Sequence, residues 1–74
     1  MEGSLMNNIH VLRAQRKWSQ KELAERLGVS RQTVVSLEAN RYNPSLMLAF
    51  RLAELFDTDI NLVFQYQSGI GGDS

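Results

Sequence analysis

Arg31, Gln32 and Ser36 stand in the stretch GVSRQTVVS (Gly28–Ser36), with valines between them. A guanidinium and a carboxamide each present paired hydrogen-bonding atoms in one plane, so they suit the recognition of planar polar partners. The rest of the chain offers little for catalysis. Among 74 residues there is no cysteine and a single histidine, His10. A disulfide framework and a cysteine-based metal site are therefore excluded, and His10 has no His or Cys companion to complete a metal site. Asp57 and Asp59 flank a helix start, where carboxylates suit the positive end of the helix dipole. No glycine loop that could cradle a phosphate and no nucleophile–base pairing can be picked out. The reading is of a non-enzyme with no cofactor.

The elements that position these side chains read as helices. Residues 7–17 form the first, with Ile9 and Leu12 on one face and Arg13, Arg16 and Lys17 near its end, where cations suit the dipole. Trp18 follows as a packed cap over the turn. SQKE (Ser19–Glu22) is a capping box that opens a second helix through Leu23, Ala24 and Leu27, and Gly28 stops it. Ser30 caps a third helix over 31–39. At about 100° per residue, Val34 and Leu37 share its inner side. Gln32, Val35, Ser36 and Ala39 lie roughly opposite, with Arg31 at the flank. Asn40 then ends the helix in the left-handed conformation.

NPS (Asn43–Ser45) opens a fourth helix over about 45–56, whose apolar residues run nearly all round and predict burial on almost every side. Thr58 caps a short fifth helix that reaches Val63. VFQYQ alternates apolar and polar residues and is compatible with a strand. MEGSL reads as an expression leader outside the fold (residues 1–5), and the Gly- and Ser-rich residues 68–74 as a disordered tail. One domain over residues 6–67 remains.

Net charge is zero, but it is unevenly spread. His10–Arg41 carries seven Lys/Arg against three Glu, a balance of +4, and Tyr42–Ser74 carries one Arg against four acids, a balance of −3. A basic first half facing a polyanion is one reading, and chance clustering of surface charge is the other. No apolar run is long enough to span a membrane and no signal-peptide pattern opens the chain, which suits a cytoplasmic protein.

Two short helices joined by a glycine-containing turn, the second lined with Arg, Gln and Ser, describe a helix-turn-helix. Ala24 gives the close approach where the two helices cross, Gly28 the turn, and Val34 the inner plug. The spacing Gln20-x-x-x-Ala24-x-x-x-Gly28-x-x-x-x-x-Val34-x-x-x-Glu38, followed by Arg41-x-x-Pro44, resembles the Cro/repressor family of DNA-binding domains, typified by phage lambda repressor. The resemblance covers most of the chain and is nearest to very short bacterial and phage regulators. It implies an all-α, five-helix domain over residues 6–64. Where that family usually has a glycine in an ENGR loop, this chain has EANR, with Asn40 in the turn.

The roles that follow are expectations. Arg31, Gln32 and Ser36 face the bases of the major groove of double-stranded DNA, with Val35 either against a thymine methyl or packed on its neighbours. Gln20, Thr33, Asn40, Arg41, Tyr42 and Asn43 contact phosphates, Gln20 at a helix N-terminus with outward N–H groups. The resemblance implies a structural pair of Arg13 and Glu38. It also implies a repressor that binds as a homodimer, and Leu46, Phe50, Ile60, Phe64 and Tyr66 are candidates for that contact. No small-molecule ligand is evident. The alternative is a protein-interaction module, an antitoxin or adaptor, that uses the same helices.

Overall fold

Ser19, Ser30 and Ser45 start three helices in one way. Each holds an extended backbone, and its hydroxyl accepts the N–H three residues on, from Glu22 at 3.0 Å, Thr33 at 3.1 Å and Leu48 at 3.1 Å. Caps of this kind stabilise a helix by about 1 kcal/mol each. A computed structural model describes residues 3–68. Its elements are β1 (Ser4–Asn7), α1 (Ile9–Gln15), α2 (Gln20–Leu27), α3 (Arg31–Glu38), α4 (Leu46–Leu55), α5 (Ile60–Val63) and β2 (Phe64–Gln67). The capping box is one-sided: Glu22 turns forward to Arg26, at 2.7 Å, instead of back to Ser19.

The helix ends share a second device. After α1, α2, α3 and α4, one residue takes a positive φ: Lys17 (60°), Gly28 (81°), Asn40 (60°) and Asp57 (55°). The next N–H then reaches back five residues, from Trp18 to Arg13, Val29 to Ala24, Arg41 to Ser36 and Thr58 to Ala53. This closure satisfies carbonyls that the helix leaves open. It also shortens α1 relative to the expected 7–17, because Lys17 belongs to the turn.

The core is one cluster. Ile9, Leu23, Leu27, Val34, Leu37, Leu52, Phe56 and Val63 are fully buried, and Ala24 is buried with them. Helix α2 packs on both α3 and α4. Trp18 stacks on Phe56 with ring centroids 5.8 Å apart, and Arg26 lies 4.3 Å over the indole. The guanidinium of Arg51 donates to the Leu27 carbonyl at the end of α2, a favourable place for a cation.

Three expectations are corrected. The fold is not all-α: β1 and β2 form an antiparallel two-stranded sheet with Ser4 opposite Gln67, Leu5 opposite Tyr66, Met6 opposite Gln65 and Asn7 opposite Phe64. Ser4 and Leu5, set outside the fold as leader, are thus part of it, because β2 leaves an edge whose backbone groups need partners. Secondly, α4 is not buried all round. Leu46 and Phe50 are 71 and 54% exposed, because only the Leu48, Ala49, Leu52 and Ala53 stripe is buried. Thirdly, α5 starts after Asp59, with no side-chain cap, and Thr58 closes the α4 turn instead. Of the tail expected over 68–74, all but Ser68 lies outside the described residues.

Candidate nucleic-acid interface

The cap at Ser30 fixes the phase of α3 and so decides which side chains face out. Val34 and Leu37 are buried, Arg31 and Gln32 exposed, and Thr33, Val35 and Ser36 half-buried. Thr33 is tied to the cap, its hydroxyl 3.0 Å from that of Ser30. Past the C-terminus of α3 the left-handed turn at Asn40 swings the chain back, and Arg41 and Tyr42 come alongside the helix. Gln32, Thr33, Ser36, Arg41 and Tyr42 line one shallow surface depression. Two groups expected to read bases and three expected to bind phosphates therefore share one face. Asn43 is exposed outside this depression.

Arg13 and Glu38 lock α1 to the end of α3. Arg13 donates through Nε to Glu38 Oε2 at 2.7 Å and through Nη2 to Glu38 Oε1 at 3.1 Å. A third bond, to the Trp18 carbonyl at 3.0 Å, ties the same guanidinium to the turn before α2. Hydrogen bonding to Glu38 raises the Arg13 pKa above its ordinary value, aided by the charge of Glu38 and opposed by burial. So long as Glu38 carries its charge, a raised value means that this stabilisation is present below the ordinary arginine range and is lost as pH rises above it. Gln20 joins the pair, its Nε2 donating to Glu38 Oε1 at 3.2 Å. The side-chain donor of Gln20 is thus engaged inside the protein, and its outward donor is the backbone N–H at the start of α2.

This geometry redistributes the basic charge read from the sequence. Among the described residues the ion pairs are Arg13–Glu38 and Arg26–Glu22. Arg16 is absorbed as well, donating to the Leu12 and Phe56 carbonyls and lying over the Phe56 ring. Among the described residues neither Arg31 nor Arg41 has an acidic partner; both are exposed, and Arg41 lines the α3 depression.

One contributor to this face has no signal in the sequence. Asn7, the last residue of β1, donates to the Leu37 carbonyl at 2.9 Å and to Asn40 Oδ1 at 2.7 Å. The two acceptors of its amide lie thirty or more positions away, beyond the reach of any local pattern.

A family model described as helix-turn-helix matches residues 9–63. The chain belongs to that family. Among helix-turn-helix relatives, an uncharacterized HTH-type transcriptional regulator of Methanocaldococcus jannaschii, MJ0272, is 41% identical over 63 residues, which are 85% of this chain and 96% of the relative. A Bacteroides fragilis protein provisionally described as DNA-binding superimposes with a TM-score of 0.73 at 30% identity, over 82% of this chain and 98% of that one. The antitoxin HipB of Escherichia coli O6:H1 is 31% identical over 58 residues, 78% of this chain and 62% of HipB. Among the described residues of this helix-turn-helix chain no His, Cys, Asp or Glu group is assembled for a metal ion. Nor is any helix long and apolar enough to cross a membrane.

Proposed function

We propose that this chain is a sequence-specific, double-stranded DNA-binding transcriptional regulator, a repressor that lays α3 in the major groove. The observation that carries the reading is the shared depression of Gln32, Thr33, Ser36, Arg41 and Tyr42, where Arg41 and the neighbouring Arg31 have no acidic partner among the described residues. Arg31, Gln32 and Ser36 read base edges, since Arg bonds guanine and Gln bonds adenine through two atoms each. Val35 lies at their border and meets a thymine methyl. Arg41, Tyr42, Asn43, Asn40 and Thr33 hold the flanking phosphates, and the α2 N-terminus at Gln20 holds another through its free N–H groups. Likeness to MJ0272 and to the Bacteroides fragilis structure supports the same reading.

The test is selection from a randomised duplex pool, followed by fluorescence anisotropy across a salt series. A discrete motif is enriched, and affinity falls steeply with salt. Arg41→Ala weakens binding to every duplex alike and lowers the salt slope by about 1. Placed upstream of a reporter, the enriched site lowers expression; raised expression would make the protein an activator. Failure to enrich any motif removes the reading and leaves the antitoxin or adaptor, which the HipB likeness favours.

A homodimer completes the proposal, because two half-sites one turn apart need two domains in fixed orientation. Leu46, Phe50 and Tyr66 are exposed, while Ile60 and Phe64 are half-buried against their own core. Met47, the most exposed of these apolar side chains, extends the α4 part of the surface. Sedimentation at micromolar concentration yields a dimer, on the selected duplex if not in free solution. One chain per duplex containing both half-sites would remove the dimer and leave the DNA reading standing.

A further inference from the structure

β1 brings one polar side chain to the far end of α3. Antiparallel pairing sets Asn7 opposite Phe64, and a slip of one residue would turn Asn7 to the other face of the ribbon. In the observed register its carboxamide is fully used. Oδ1 accepts the Ile9 N–H at 3.0 Å and so anchors the start of α1. Nδ2 donates twice, to the Leu37 carbonyl and to Asn40 Oδ1.

The second of these bonds has directional content. A carboxamide has an accepting end and a donating end. With Oδ1 of Asn40 held by Asn7, the end of Asn40 that remains available is Nδ2, a donor. A phosphate accepts hydrogen bonds and donates none, so this is the orientation a phosphate contact requires. Asn40 itself is fixed in place, with φ of 60° and the following N–H closed onto Ser36.

We propose that Asn7 is a positioning residue for DNA binding, which orients the Asn40 amide so that its Nδ2 donates to a backbone phosphate. The inference rests on the DNA reading above and on the phosphate role of the α3–α4 loop within it. It gives β1 a part in DNA affinity although β1 itself touches no DNA. It also assigns Asn40 a contact that a glycine in the same turn could not make.

Five variants test it in equilibrium binding to the selected duplex, at a temperature where circular dichroism shows each one folded. Asn40→Gly keeps the left-handed turn without strain and removes the amide. It weakens binding about 3- to 10-fold, the worth of one hydrogen bond, on every duplex alike. Its salt slope is that of wild type, because no charge is lost, and its melting temperature does not fall in parallel. Asn7→Ala gives a loss of similar size, and Asn7→Ala combined with Asn40→Gly is no weaker than Asn40→Gly alone.

Asn7→Asp is the sharper probe. It keeps the oxygen that accepts the Ile9 N–H but faces Asn40 with an acceptor, which turns the Asn40 amide round and points its oxygen outward. Its loss exceeds that of Asn7→Ala. Set in the Asn40→Gly background, the Asp substitution costs less than it does in wild type, which separates the turned amide from the added charge. Unchanged binding by Asn40→Gly, or independent and additive losses at positions 7 and 40, would overturn the proposal. So would a cost for Asp that is equal in both backgrounds. If wild type selects no duplex, the DNA reading itself has failed, which is a different outcome.

Discussion

Glu38→Ala lowers the melting temperature by about 12 °C or more. Glu38 is the hub of three side-chain bonds, two from Arg13 and one from Gln20, and both partners of the ion pair are largely withdrawn from solvent. Removing one member of a fully buried pair leaves the other charge unpaired, at a cost of about 3–5 kcal/mol, and this half-buried pair belongs at the lower end. At the lower end of that range, and at about 4–8 °C per kcal/mol for a domain of this size, the shift falls between about 12 and 24 °C. The effect reaches beyond the pair, since Arg13 also holds the Trp18 carbonyl and through it the turn before α2. Glu38→Gln keeps an acceptor and the shape, so its loss is smaller. Thermal melts by circular dichroism check the series; an alanine variant that melts within two or three degrees of wild type would show the pair to be ornamental.

Gln32→Ala relaxes base preference at one or two positions of the selected motif and costs about 1–3 kcal/mol on the best site, roughly 5- to 150-fold. Binding to unrelated duplexes changes little, because the lost contact carries sequence and not charge. The salt slope stays that of wild type. Arg31→Ala has an effect of similar size on a different position, and leaves the salt slope unchanged if Arg31 reads a base edge. A slope lowered by about 1, with preferences intact, would move Arg31 to the phosphates. Repeating the selection with each variant measures both quantities. Both residues are exposed because the Ser30 cap and the buried Val34 leave them no other direction to face.

Much of this was legible because it is local. Ser19, Gly28, Ser30 and Val34 act on residues within a turn or so of themselves, so their spacing alone reports α2, the turn and α3. The exposed Arg31 and Gln32 follow from that phase. What escaped is set by distant partners. Lys17 and Asp57 adopt left-handed conformations because closing bonds from the next residue require it, and neither side chain advertises the fact. β2 showed in the alternation of VFQYQ, but β1 and the pairing did not: the strands join the two ends of the described residues, so no window of sequence contains both. Helix α4 misled for another reason: apolar composition on Leu46 and Phe50 signals a surface that favours cover, and says nothing of whether this chain supplies it. Of the candidate site, the exposed face of α3 was readable and the bonds from Asn7 were not.

The β1–β2 ribbon also imposes an order of events. Helices α2 and α3 assemble through short-range contacts, whereas the ribbon must close a loop that includes nearly the whole domain before it gains a single ladder bond. A two-stranded ribbon is marginal without the body it leans on, so it joins last and opens first. Asn7 rides on that ribbon. Each opening releases the Leu37 carbonyl and the Asn40 amide together, and the loop that carries Arg41 loses its brace while the helices stay folded. The surface beside α3 is therefore expected to open more often than the helices unfold, at a rate set by the pairing of residues 4–7 with 64–67.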